Sequence, residues 1–275
     1  MAESRNAARE LLKLARDLRV RLEIPGEAEA SFRSVPALDQ ASCPRSISSA
    51  SQQVENARPA RAASPRPASA PMDKKTALEA LSAEIRACRR CPLGQTRLQA
   101  VPGVGFPDAR VVFVGEGPGY QEDRKGEPFV GPAGQLLDKI LASIGLSRQT
   151  VYIANVVKCH PMKDPSNPDL RGNDRPPLPE EAAACMPFLQ RQLAVISPEI
   201  IVALGASALR ALAPQVAGLT KVRGTWMSYS LPDGKTFKLL PTYHPAALLR
   251  NPNWKKDVWT DMKALRQELG LRENS

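Results

Sequence analysis

The sequence contains no long uncharged apolar run, and its first residues, Met1-Ala2-Glu3-Ser4-Arg5, lead into a charged segment without the apolar stretch of a secretory signal. A membrane-spanning chain is excluded on this reading, and a cytoplasmic protein is expected. The five cysteines are too few and too unevenly spaced for the disulfide framework of a small secreted protein. In a reducing compartment metal ligation is their better use, with Cys43 standing apart from the other four. Nucleotide-binding glycine signatures are missing as well. G-x-G-x-x-G would need glycine where Tyr120 stands, and no G-K-[ST] follows. No internal repeat is visible.

What is present is a basic chain with material for a core. Its 275 residues are 43% hydrophobic, enough for one sizeable domain plus an appendage. The formal charge of +10 favours an anionic partner, most simply nucleic acid, because clustered Lys and Arg gain by displacing counterions from phosphate.

Residues 1–25 are expected to hold an amphipathic helix, with Leu11, Leu14, Ala15, Leu18 and Leu22 on one face and Arg and Lys on the other. That face could fold back on the rest of the chain, bind another protein, rest on a membrane surface or stay solvated. Residues 26–72 are rich in Ala, Ser, Pro and Arg, with Phe32 their only aromatic. Such a segment buries too little surface to offset chain entropy, and a disordered linker is expected. The domain then runs over 73–275, opening with Asp73 as an N-cap and a helix whose stripe is Leu78, Leu81 and Ile85.

Residues 110–119, Arg-Val-Val-Phe-Val-Gly-Glu-Gly-Pro-Gly, organise the rest. Val111 to Val114 form the continuous apolar run of a strand covered on both faces, and it ends in a glycine-rich turn. A polar stretch from Tyr120 follows. Gly131-Pro132 then opens a helix expected to turn Leu136, Leu137, Ile140, Leu141 and Ile144 to the core. Further strands are expected at 151–157 and 199–204, with helices from Pro179 and over 205–213. Segments 222–230 and 236–240 flank Pro-Asp-Gly as a hairpin, unless the second joins the main sheet. Strands alternating with helices imply an open parallel sheet between helical layers.

Cys88 and Cys91 form a C-x2-C pair at a helix end, Cys159 follows a strand, and Cys185 lies in the next helix. Four thiolates suit tetrahedral zinc or a 4Fe-4S cluster. Structural zinc more often joins two compact knuckles, and only one exists here, so spacing favours the cluster and leaves zinc or plain core cysteines open. Arg89 and Arg90 could offset a cluster's negative charge.

Several separated pieces together resemble the family 4 uracil-DNA glycosylases, which carry an iron–sulfur cluster. They are Cys88-x2-Cys91, Gly115-Glu116-Gly117-Pro118-Gly119, Phe129-Val130-Gly131-Pro132-Ala133-Gly134, Asn155-Val156-Val157-Lys158-Cys159, Pro179-Glu180-Glu181 before Cys185, and His244-Pro245 through Asn251-Pro252. The resemblance covers roughly 77–270 and implies an α/β/α sandwich around a four-stranded parallel sheet. It implies a 4Fe-4S cluster held by Cys88, Cys91, Cys159 and Cys185. Its implied partner is uracil-containing DNA, single- or double-stranded, bound by a monomer, and its implied activity is hydrolysis of the N-glycosidic bond.

Carried over residue by residue, the resemblance assigns uracil binding to Glu116, Gly117, Phe129, Asn155 and His244, and catalysis to Glu116 and His244. Phe129 would stack on the base, Asn155 would pair with N3–H and O4, His244 would donate to O2, and Glu116 would polarise water. Leu248 or Leu249, with Arg250, would enter DNA through the minor groove. His160 is expected to be an ordinary loop residue. Gly117 stands where a related branch places an aspartate, and Gly119 offers no bulk against thymine's methyl group, so Glu122 or Asp123 would supply it. The 25 residues between Cys159 and Cys185 exceed the family's usual spacing, with the extra segment near 164–172. Arg171 and Arg175 there could touch DNA. The rival class is a non-catalytic iron–sulfur DNA-binding protein; Glu116, Asn155 and His244 together favour the enzyme.

Overall fold

The computed structural model of the chain describes residues 73–272. The expected helix within 1–25 and the linker 26–72 lie outside the described residues.

Asp73 caps helix α1 (Lys74–Ala87) by accepting from the Lys75 N–H, and Leu78, Leu81 and Ile85 form its buried stripe. Strand β1 (Val104–Gly105) is a two-residue edge. Strand β2 (Val111–Gly115) is buried at every position, so both its faces are covered. Beyond the glycine turn the polar stretch is a short helix, α2 (Tyr120–Lys125), closed by Gly126 at φ 72°. Helix α3 (Pro132–Ser143) starts on its proline. Leu137, Leu141 and Ile144 are buried as expected, whereas Leu136 and Ile140 are half-buried and line a surface groove.

Strand β3 (Tyr152–Asn155) is shorter than the expected 151–157, because the chain leaves the sheet directly after Asn155. Then come α4 (Pro179–Ile196), β4 (Ile200–Leu204) and α5 (Gly205–Leu212). The expected strand over 222–230 is cut short. Leu219–Val222 is a helical turn, Gly224 takes φ 72°, and strand β5 (Met227–Ser230) starts only beyond them. Strand β6 (Thr236–Thr242), helix α6 (Pro245–Arg250) and helix α7 (Lys255–Glu268) complete the domain.

The sheet has six strands in the order β1-β3-β2-β4-β6-β5. Its four central strands, β3, β2, β4 and β6, are mutually parallel, and the two edges are antiparallel additions. The fold is therefore the expected α/β sandwich with a four-stranded parallel centre. β6 fulfils both expectations at once, pairing with β4 in the main sheet and with β5 as a hairpin.

Register decides where chemistry can gather. Gly115 lies opposite Asn155, and Leu204 opposite Thr242, so all four parallel strands finish along one edge. β3 lies on one side of β2 and β4 on the other, which makes the end of β2 a topological switch point. In open α/β sheets ligands bind in the crevice beyond such carboxyl ends.

Candidate active site

Gly115, the last residue of β2, has its space claimed by two other residues. A Cβ there would stand 2.4 Å from Asn155 Oδ1 and 2.7 Å from Phe129 Cζ. Only glycine lets the carboxamide and the phenyl ring share the strand end. Phe129 takes φ 56°, in the left-handed region that a bulky residue rarely occupies. Its neighbours hold it there. Glu122 Oε1 accepts from the Val130 and Gly131 N–H groups at 2.9 and 3.1 Å, and Arg148 donates to the carbonyls of Pro128, at 3.0 Å, and Phe129. A Cβ on Gly134 would lie 1.6 Å from the Phe129 carbonyl oxygen, so that loop closes only over glycine.

His244 follows β6 at the same carboxyl edge of the sheet. Its ring stacks on Phe129 with centroids 5.3 Å apart and planes inclined by 30°. It also caps α6, with Nδ1 accepting from the Ala246 N–H at 3.1 Å. The neutral ring therefore carries its proton on Nε2. Burial first, and then the charge of Arg250, lower its pKa to about 4. Near pH 7 it is a neutral hydrogen-bond donor.

The strand end carrying it is braced on both sides. Thr242 Oγ1 donates to Asp261 Oδ2 at 2.7 Å, Arg223 pairs with Asp261 Oδ1 at 2.7 Å, and Tyr243 stacks on Trp254 at 4.6 Å. Burial pushes the Asp261 carboxyl up, while Thr242 and Arg223 pull it back.

Asn155 is buried, and its Oδ1 has no hydrogen-bond partner among the described residues. Such an atom is costly to leave unpaired. Glu116 and Gly117 follow Gly115 at the same edge and are partly exposed. The fold thus gathers Phe129, Asn155 and His244 around one strand end, with Glu116 and Gly117 in the adjoining turn.

Other expected residues are distributed differently. Leu248 is 1% exposed and packs into the core, whereas Leu249 is 50% exposed and Arg250 is exposed. Leu248 is therefore withdrawn as a DNA contact, because its register on α6 turns it inward. Arg175 is bound to the buried Glu181 at 2.7 and 2.8 Å and is not free for DNA, while Arg171 is exposed. Asp123 is fully buried, accepting from the Leu98 and Gln99 N–H groups, so it cannot contact a base.

His160 is no ordinary loop residue. It is fully buried, with Nε2 2.6 Å from Asp174 Oδ1 and Nδ1 3.6 Å from Asp123 Oδ2. Burial alone would lower its pKa, but the two carboxylates outweigh that and raise it to about 9. It pins the long loop, through Asp174, to α2, through Asp123.

The four cysteines line one small cavity between the end of α1, the turn after β3, and α4. All four are free thiols. Three sulfurs receive N–H groups: Cys159 from Arg97 Nη1 at 2.8 Å, Cys185 from the Lys158 main chain at 3.3 Å, and Cys88 from the Arg90 main chain at 3.5 Å. Burial pushes the Cys159 thiol up to about 11 against the pull of Arg97, and also raises Cys185. The cavity lining adds Arg90, Arg97 and Lys158, with no carboxylate or imidazole. Sulfurs surrounded by donors and cations suit a negatively charged, thiolate-bound group. Among the described residues no three His, Cys, Asp or Glu side chains are set to hold one metal ion.

One residue here escaped the sequence reading, and another, Glu122, holds a loop where the sequence reading had it exclude thymine's methyl group. Arg97 ties Cys159 to the carbonyls of Arg86 and Cys88 and shares with Arg90 the cavity lining, where the sequence pointed to Arg89 and Arg90 as the cations. Glu122 supports the Phe129 loop. Neither has a spacing signal, since both act across folded contacts.

Residues 102–263 match the family model described as the uracil DNA glycosylase superfamily. The chain belongs to that superfamily. It is 46% identical over 175 residues to the type-4 uracil-DNA glycosylase of Thermotoga maritima, covering 63% of this chain and 84% of the relative. It is 42% identical over 195 residues to that of Sulfurisphaera tokodaii, covering 69% and 84%. For Archaeoglobus fulgidus the figures are 41% over 201 residues, 71% and 95%. Within the superfamily, the chain is a member of the type-4 uracil-DNA glycosylases.

Proposed function

We propose that this chain is a uracil-DNA glycosylase that holds an extruded uracil among Phe129, Asn155 and His244 and hydrolyses its N-glycosidic bond, leaving an abasic site in DNA. The observation that carries the reading is the meeting of Asn155 and Phe129 over Gly115, with the His244 ring stacked on Phe129 and the Asn155 Oδ1 acceptor buried and unpaired among the described residues. A base inside a duplex is out of reach, so the nucleotide must be flipped at a cost of a few kcal/mol.

Phe129 offers a stacking face worth about 1–3 kcal/mol. Asn155 Oδ1 accepts from uracil N3–H, and its amide N–H donates to O4. As the bond to the sugar breaks, the departing base gains negative charge, much of it on O2. His244 Nε2–H donates there, already oriented by the bond its Nδ1 accepts. Glu116, in the turn after β2, is the carboxylate that positions water. Leu249 and Arg250, on the helix that His244 caps, occupy the space the base has left.

Cys88, Cys91, Cys159 and Cys185 would hold a 4Fe-4S cluster, which would tie α1, the turn after β3 and α4 together near DNA. The cationic lining of Arg90, Arg97 and Lys158 around the four sulfurs supports a negatively charged, thiolate-bound group of this kind. Reduced thiols accord with a cytoplasmic setting, and we propose action as a monomer there.

The test is excision from uracil-containing DNA, read by alkaline cleavage of abasic sites, in wild type and His244→Ala. Removing the O2 donor should cost about 100- to 1,000-fold in rate. Undiminished excision would remove His244 from the mechanism, and inactive wild type would favour the DNA-binding alternative.

A further inference from the structure

Lys158 is a fully buried lysine that the mechanism above does not use. Its Nζ donates to the Asn155 carbonyl at 2.7 Å and to Gln192 Oε1 at 2.7 Å. Both acceptors are neutral, and among the described residues no carboxylate pairs with it. An ammonium buried this way is expensive unless negative charge lies close by. The nearby anionic candidates are the sulfurs: Lys158 lines the four-cysteine cavity, and its own N–H donates to Cys185 Sγ at 3.3 Å. One residue therefore touches both chemical regions, its main chain at the cysteines and its ammonium at the strand end that presents the Asn155 carboxamide. Gln192 keeps the ammonium in place, since its own amide donates to the Pro102 carbonyl at 2.7 Å and to Tyr152 Oη at 3.3 Å.

We propose that Lys158 is a positioning residue that couples the four-cysteine site to the base-reading amide of Asn155. The inference rests on the assignment of Asn155 to uracil given above. Asn155 is the last residue of β3, and the next two N–H groups, of Val156 and Val157, bond back to the Gly115 and Glu116 carbonyls at 3.0 and 3.2 Å, while the Asn155 carbonyl accepts from the Lys158 ammonium. That bond anchors the carbonyl, and the negative charge of a thiolate-bound group at the cysteines would balance the ammonium. A filled cysteine site would thus help to hold the main chain at the strand end from which the Asn155 carboxamide projects.

The test is a double-mutant cycle between Lys158→Met and Asn155→Ala, read as single-turnover uracil excision and as affinity for free uracil, together with the rate of iron loss to a chelator. Met keeps the length of the stem and removes the charge. Lys158→Met is expected to lose about tenfold in excision and uracil affinity in the wild-type background, less than about twofold in the Asn155→Ala background, and to release iron faster. Equal losses in both backgrounds would overturn the inference, since a general weakening of the fold adds independently. Unchanged iron release would confine Lys158 to the pocket and overturn the coupling. Full activity in Asn155→Ala alone would instead sink the reading of Asn155, and the inference with it. If Lys158→Met does not fold, Gln192→Leu takes its place in the cycle, with a smaller loss that must still depend on Asn155.

Discussion

At the sheet edge, Phe129 comes from the loop between α2 and α3, Asn155 from the end of β3 and His244 from the junction of β6 and α6; the first two meet over Gly115, and His244 stacks on Phe129. At the cysteine site, the four thiols come from the end of one helix, one turn and the middle of another helix, and meet beneath a cover of arginine and lysine. The pocket is neutral: a ring, an amide and an imidazole whose charging is suppressed. The cysteine site is cationic, with Arg90, Arg97 and Lys158 around its sulfurs. A neutral pocket leaves its hydrogen bonds free to meet charge that develops on the base, whereas a cationic lining compensates charge that is permanently present. Lys158 stands between the two and belongs chemically to the second.

A pair of substitutions should separate the regions most widely. Gly115→Ala places a methyl group where Asn155 Oδ1 and Phe129 already lie, at 2.4 and 2.7 Å. A displacement of about 1 Å at a reacting centre costs about 100-fold, so excision should fall by that order with iron content unchanged. Cys159→Ala should instead lose iron and lower the melting temperature. Loss of iron in Gly115→Ala would show that the two regions are not independently built.

A smaller effect distinguishes the adjacent leucines. Leu248→Ala removes a core side chain and should cost about 2–5 kcal/mol in denaturant unfolding, as for other buried leucines. Leu249→Ala should leave stability within about 0.5 kcal/mol while slowing excision from duplex DNA more than from single strands. Equal slowing on both substrates would remove Leu249 from the wedge role.

How far each region was legible in the sequence follows from the range of its interactions. The apolar run at 111–114, the glycines after it and the proline-initiated helices declare themselves locally, because backbone conformation and burial of both strand faces leave a mark on consecutive residues. Asn155 and His244 were legible through the motifs around them. Leu248 was misjudged because motif spacing does not reveal which way a helix faces, and α6 is too short for periodicity to show it. Arg97 and Lys158 could not be singled out, and Glu122 was given another role, since their partners are set by the fold. Arg97 meets Cys159 across 62 residues, and Lys158 meets Gln192 across 34.

The most direct test is nitrogen NMR of the His244 ring with and without free uracil. The account predicts a neutral ring with its proton on Nε2 from pH 8 down to about 4. Above 6.5, the ordinary histidine value, both folded and unfolded chains hold it neutral; as the pH falls from there to about 4 only the unfolded chain gains the proton, so the stability from neutral His244 is lost across that window. Added uracil should shift the Nε2–H resonance downfield and leave Nδ1 in place. A ring that protonates near 6.5, or an Nε2–H that ignores saturating uracil, would contradict it.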